Sequence, residues 1–159
     1  MKTQLKVAAL VVCSALVGLP TSQAADPWSV PSDWKYSDVY VQFGNGEDAL
    51  VVEPKKLTLQ AGVPYRIVFV NPSEQTHILS APDLAGRVLT TDVRRYPVDE
   101  VLPSPTGGEL LAFLRPAEQI EWYLMPTTEG TFKIGCALSD HAKAGMDVAI
   151  EVMPRPAWT

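Results

Sequence analysis

Apolar and polar residues alternate along much of this chain, a period of two that is typical of β-strands. The clearest alternating runs are Val39–Phe43, Thr131–Ile134 and Val148–Val152, and Tyr65–Val70 and Ile120–Leu124 are further runs of strand-forming residues. Shorter candidates are Leu50–Val52, Leu57–Leu59 and Ile78–Leu79. Turns rich in Gly and Pro separate these runs, and almost no helical periodicity is present. The pattern predicts an all-β protein, a β-sandwich or Greek-key barrel.

The segment 82–116 is less regular than the rest of the chain. It contains turn signals at Pro82-Asp83, Pro103-Ser104-Pro105 and Gly107-Gly108, and a short amphipathic piece from Leu84 to Val93. These features predict a loop-rich insertion between sandwich strands, in which one helical turn is a candidate.

The first 24 residues have the pattern of a secretory signal peptide. Lys2 and Lys6 precede an apolar run, Val7–Leu19, and small residues follow before a predicted cleavage site after Ala24. The run of 13 residues is shorter than the ~20 needed to cross a bilayer, which disfavours an uncleaved anchor. We therefore expect an exported protein, periplasmic or, as the alternative, secreted.

The remainder, residues 25–159, has the length of one domain. Residues 25–37 lack a clear period, and we expect an irregular N-terminal arm in which Trp28 and Trp34 pack against the domain body.

Loss of the signal peptide changes the charge of the chain. Removing Lys2 and Lys6 leaves 11 of the 13 basic residues against 18 acidic residues, so the net charge falls from −5 to −7. An acidic surface argues against nucleic acid or an anionic membrane as a partner.

Cleavage also leaves Cys136 as the single cysteine, because Cys13 departs with the signal peptide. An internal disulfide is then impossible, and a lone thiol in an exported protein needs another explanation. Metal ligation is one, because it protects the thiol from oxidation.

Cys136, His141 and Met146 follow one another in the spacing Cys-x4-His-x4-Met, between the predicted strands Thr131–Ile134 and Val148–Val152. We expect all three residues in the loop that joins these strands. A blue-copper centre takes two histidines and a cysteine in a trigonal plane, with methionine as a weak axial ligand. The chain has two histidines, so the missing histidine would be His77.

These motifs resemble those of the cupredoxins, which include plastocyanins, amicyanins and azurins. The similarity extends over roughly Lys55–Met153 and includes Asn71-x5-His77, an asparagine and a histidine that follow a strand. The resemblance implies one type 1 copper ion, and it implies that Asn71 braces the two ligand loops from behind. The copper ligands that it implies are His77, Cys136, His141 and Met146.

The resemblance also implies a function, the transfer of single electrons by an electron carrier rather than by a substrate-converting enzyme. His141 would be the electron port, within an apolar patch that includes Leu138, Ala142 and Ala144. The implied partners are redox proteins such as a c-type cytochrome, an oxidase or a reductase.

The chain departs from the cupredoxin pattern before the loop histidine, where Ser139-Asp140 stands in place of the frequent Pro-Gly. The Asp140 carboxylate would stabilise the more positive oxidised metal, or it would cap the loop by accepting hydrogen bonds from backbone amides.

Other interpretations of the same residues stay open. Cysteine, methionine and histidine taken singly are common core residues. A copper storage or delivery protein would use the same ligands without carrying electrons. A thiol enzyme would pair Cys136 with His141 but leave Met146 without a role, and zinc rarely takes a thioether.

Overall fold

The computed structural model of this protein describes residues 34–47, 49–105 and 108–155. The predicted signal peptide and most of the predicted N-terminal arm, including Trp28, lie outside these residues. Trp34 is half-buried and has no regular secondary structure.

Strands dominate the described residues. They are β1 (Ser37–Phe43), β2 (Val52–Glu53), β3 (Lys56–Gln60), β4 (Tyr65–Val70), β5 (His77–Ser80), β6 (Val88–Tyr96), β7 (Glu100–Val101), β8 (Leu111–Leu114), β9 (Gln119–Pro126), β10 (Gly130–Cys136) and β11 (Asp147–Met153). A 3-10 helix covers Ala85–Arg87, and one short α-helix, α1, covers Ser139–Lys143. β2 begins at Val52 instead of Leu50, because residues 49–50 form a turn.

The strands form two sheets. The first has the order β2-β1-β4-β9-β6-β7 and the second the order β3-β11-β10-β5-β8. The pairs β1/β4 and β3/β11 are parallel, whereas the remaining pairs are antiparallel. The predicted all-β sandwich is confirmed. None of the described helices is long and apolar enough to cross a membrane.

The core contains side chains from both sheets. In β4 and β9, Ile67 pairs with Trp122 and Phe69 with Ile120, and all four side chains are fully buried. Across the sandwich, the buried residues of β10 and β11 are Ile134, Cys136, Val148, Ile150 and Val152. The apolar residues of the alternating runs are therefore those whose side chains point into the core.

The segment 82–116 is not the loop-rich insertion that the sequence predicted, because β6, β7 and β8 are integral strands of the sandwich. Eight residues of β6 pair with β9, with an irregularity between Thr90 and Asp92. That bulge interrupts the period of two, so the sequence pattern does not predict this strand. The candidate helical turn is present as the 3-10 helix.

Core packing generates a matched stability test. Leu124 is fully buried in β9, whereas Leu111 in the edge strand β8 is 60% exposed. We expect Leu124→Ala to lower the free energy of unfolding by about 2–5 kcal/mol in denaturant titrations, and Leu111→Ala to change it by less than about 0.5 kcal/mol. Equal losses in the two variants would contradict the assigned core.

Candidate metal centre

Two neighbouring strands bring together residues that are far apart in the sequence. His77 is the first residue of β5 and Cys136 the last of β10, and these strands are antiparallel with Cys136 opposite Leu79. His141 lies in α1, and Met146 directly precedes β11. The prediction that Cys136, His141 and Met146 share an open loop is therefore wrong in detail, because Cys136 ends a strand and His141 is helical.

The donor atoms of three predicted ligands converge. Nδ1 of His77 lies 3.1 Å from Nδ1 of His141, which lies 3.4 Å from Sγ of Cys136. All three donor atoms lie within 4.8 Å of one another. The residues are 0%, 8% and 4% exposed for His77, His141 and Cys136.

This cluster fits one metal ion of the type 1 copper class. Nitrogen and sulfur ligands about 2.0–2.3 Å from a central ion in a trigonal plane lie roughly 3.5–3.8 Å from each other. The two separations that involve His141, 3.1 and 3.4 Å, are slightly shorter than that value, so a slight outward shift of these side chains would admit an ion. Two imidazoles and one thiolate are also the in-plane donors of this class.

Met146 is held beside the cluster by its backbone. Its carbonyl accepts a hydrogen bond of 3.0 Å from the Cys136 N–H, and its own N–H donates to the His141 carbonyl over 3.1 Å. A Cβ at Gly135 would lie only 2.8 Å from the Met146 carbonyl oxygen. Glycine at this position therefore lets the strand that ends in Cys136 approach Met146, whose side chain is 1% exposed.

Ile78 donates a hydrogen bond to the cysteine. Its backbone N–H lies 3.4 Å from Sγ of Cys136, and its carbonyl accepts from the N–H of Ala137 over 2.8 Å. Any residue except proline supplies this N–H, so the contact does not depend on the isoleucine side chain. Sequence reasoning missed Ile78 and Gly135, because both act through the backbone and a strand pairing.

Comparisons with known proteins bear on the fold. No family model matches the sequence, and no significant match to a curated protein sequence is found. Auracyanin B is 23% identical, with a TM-score of 0.53 over 74% of this chain and 88% of that protein. Auracyanin A, a "blue" copper protein from Chloroflexus aurantiacus, is 18% identical, with a TM-score of 0.52 over 75% of this chain and all of that protein. This chain has the cupredoxin fold.

Enzymes contain the same fold as one part of a longer chain. A multi-copper oxidase from Pseudomonas thermotolerans is 16% identical, with a TM-score of 0.57 over 74% of this chain. The match covers 30% of the oxidase. The cupredoxin fold alone therefore does not distinguish a carrier from an enzyme domain.

Asn71 is buried, but it does not brace two ligand loops as predicted. Its Nδ2 donates to the carbonyl oxygens of Gln75 (2.7 Å) and Leu114 (3.0 Å), and its Oδ1 accepts from Ser73. These bonds tie the segment before His77 to itself and to β8. The second loop is instead joined to the first through Ile78.

Asp140 projects into solvent from the first turn of α1. Its side chain is 87% exposed and lies 3.4 Å from Nζ of Lys143. The helix begins after Leu138 without a side-chain cap, so the capping alternative is wrong. Solvent and the neighbouring ammonium group screen the carboxylate, and its influence on the oxidised metal stays a prediction.

The residues predicted to form an electron port lie on α1 or directly beside it, and we call them the α1 patch. It consists of Leu138, His141, Ala142 and Ala144. The two alanines are exposed and Leu138 is half-buried.

The buried position of His77 suppresses its protonation. Burial, followed by the nearby His141, lowers the pKa of His77 from 6.5 to about 4. The imidazole is consequently neutral at physiological pH and has a lone pair free for a metal.

The lowered pKa predicts an acid-sensitive apo protein. Below pH 6.5 the unfolded chain binds a proton at residue 77 that the folded chain does not bind until about pH 4. The free energy of unfolding should therefore fall between pH 6.5 and 4, by at most about 1.4 kcal/mol per pH unit from this group. Denaturant titrations of apo wild type and His77→Gln would measure it. Parallel pH profiles for the two proteins would contradict this assignment.

Proposed function

We propose that this protein binds one copper ion through His77, Cys136 and His141, with Met146 as a weak axial ligand, and carries single electrons between redox proteins. The observation that carries the proposal is the convergence of two imidazole nitrogens and one thiol sulfur in a buried cluster. Three polar donor atoms buried together cost free energy. A bound metal ion would compensate this cost, whereas a role in core packing alone would not.

Copper, when bound, supplies a one-electron Cu(II)/Cu(I) couple. The residues of this chain supply a soft thiolate and thioether that suit Cu(I), and two imidazoles that suit Cu(II). The Ile78 N–H and the Met146 carbonyl hold Cys136 by hydrogen bonds. Ligands held in this way rearrange little when an electron moves, which favours rapid transfer.

The α1 patch is proposed as the docking surface. His141 is both a ligand and the member of the cluster with the largest exposed fraction, 8%. Exposed alanines beside it allow a partner to approach closely. Suitable partners are redox proteins such as a c-type cytochrome, an oxidase or a reductase. We also propose export to the periplasm, which N-terminal sequencing of the mature protein would test.

An electron carrier is favoured over an enzyme by the count of ligands. The chain has two histidines, and both belong to the cluster. A second copper centre of the multicopper-oxidase type would need further histidines. A thiol enzyme is disfavoured because Cys136 is only 4% exposed, so a substrate has little access to its sulfur.

Copper storage or delivery is the alternative function, and one experiment separates it from electron transfer. Purified apo protein is titrated with Cu(II) while the visible spectrum and the redox cycling are recorded. An intense thiolate-to-copper band that bleaches on reduction and returns on oxidation supports the carrier. Tight Cu(I) binding without a reversible coloured Cu(II) form supports storage.

The thiolate assignment predicts the source of the colour. Cys136→Ser replaces a soft sulfur by a hard oxygen, so the intense visible band should be lost. The matched control Met125→Leu, a half-buried residue of β9, should keep the band. Absorption spectra of both copper-loaded variants would measure the effect, and a coloured serine variant would overturn the ligand assignment.

The axial assignment predicts a change in reduction potential. Met146→Leu removes a weak donor and makes the site more apolar, and both changes favour Cu(I). Voltammetry should record a rise on the order of tens of millivolts with the colour retained. The control Met153→Leu, 43% exposed at the far end of β11, should leave the potential unchanged. A lowered potential in Met146→Leu would rule out the axial role.

A further inference from the structure

Ser73 makes a buried contact with His77 that the cupredoxin resemblance does not assign. It lies between β4 and β5, is 4% exposed, and places Oγ 3.2 Å from Nε2 of His77. This is the ring nitrogen that faces away from the metal cluster. The Ser73 hydroxyl therefore touches a predicted ligand from behind.

The surroundings of Ser73 keep it in place. A Cβ on Gly44 would lie 2.5 Å from Cβ of Ser73 and 2.8 Å from its Oγ. Gly44, at φ +76, thus lets the end of β1 close tightly over Ser73, and glycine is favoured there for both reasons. The neighbouring residue of β1, Phe43, has its ring centroid 5.8 Å from that of His77.

The orientation of the Asn71 amide follows from its partners. One end of the amide faces two carbonyl oxygens, those of Gln75 and Leu114, and must be the NH2 group. The other end faces the Ser73 N–H at 3.0 Å and must be the oxygen. A flipped amide would oppose donors to donors and acceptors to acceptors.

The direction of the Ser73 hydroxyl follows in turn. Oγ of Ser73 lies 2.7 Å from Oδ1 of Asn71, and two oxygens this close need a proton between them. The amide oxygen has none, so the hydroxyl donates its single proton there. The Gln75 carbonyl, also an acceptor only, lies farther away at 3.3 Å. Oγ therefore offers only lone pairs to Nε2 of His77.

We propose that Ser73 is a positioning residue that sets the tautomer of His77, with the proton on Nε2 and a bare lone pair on Nδ1, before any metal binds. The ring then presents a ready ligand atom to the cluster. The low pKa of His77 agrees with a neutral ring in this state.

The tautomer of His77 also determines that of His141. Nδ1 of His141 lies 3.1 Å from the bare Nδ1 of His77, so in the apo protein Nδ1 of His141 carries a proton and donates it to Nδ1 of His77. The two histidines consequently differ in tautomer: Nδ1 is bare in His77, whereas it carries the ring proton in His141.

The tautomers are measurable without metal. In apo protein labelled with 15N-histidine, long-range 1H–15N correlation spectra at neutral pH should show Nε2–H for His77 and Nδ1–H for His141. A wild-type His77 with its proton on Nδ1 would overturn the proposal. This readout does not depend on the proposed copper function, so the two can fail separately.

Substitution tests the role of Ser73 directly. Ser73→Ala should give His77 a mixed population of tautomers and weaken Co(II) binding about tenfold, the scale expected for residues that orient metal ligands. The control Ser37→Ala makes the same chemical change at the exposed first residue of β1 and should alter neither readout. Wild-type tautomers and Co(II) affinity in Ser73→Ala would overturn the proposal, and if that variant does not fold, the wild-type spectrum still decides.

Discussion

The pairing of β5 with β10 is the constraint on which the metal centre depends. It brings the beginning of one strand, His77, next to the end of the other, Cys136, across 58 intervening positions of the chain. The Ile78 N–H that reaches the cysteine sulfur extends this pairing by one contact. A shift of register by one residue would reverse the faces of β5 and turn His77 away from the cluster.

The burial that follows from this pairing sets the chemistry of the site. His77 is fully buried, which disfavours its charged form and leaves a neutral ligand. Burial also requires that the distal nitrogen of the ring find a partner, and Ser73 is that partner. His141, at 8% exposed, is the least buried of the three residues, and exposed alanines of the α1 patch neighbour it in the chain.

Prediction from the sequence succeeded where the pattern was local and failed where it was not. Tyr65–Val70 was predicted with its correct bounds, because every residue in it except Arg66 is apolar and strand-forming. β6 was missed, since its bulge near Thr90 interrupts the period and Arg94 and Arg95 break it further. α1 was missed as well, because five residues are too few for a helical period to be visible.

The sequence by itself determined the sandwich class and the set of candidate ligands, because the period of two is a local property and only two histidines exist to choose from. It also pointed to Asn71, but not to the partners of the Asn71 amide, which are the carbonyl oxygens of Gln75 and Leu114. Only the tertiary structure decided that Asp140 lies in solvent, that Gly135 admits Met146, and that Ser73 contacts His77. These are contacts of backbone and side chains across strands, and their distances depend on strand register and packing, which the order of residues along one strand does not encode.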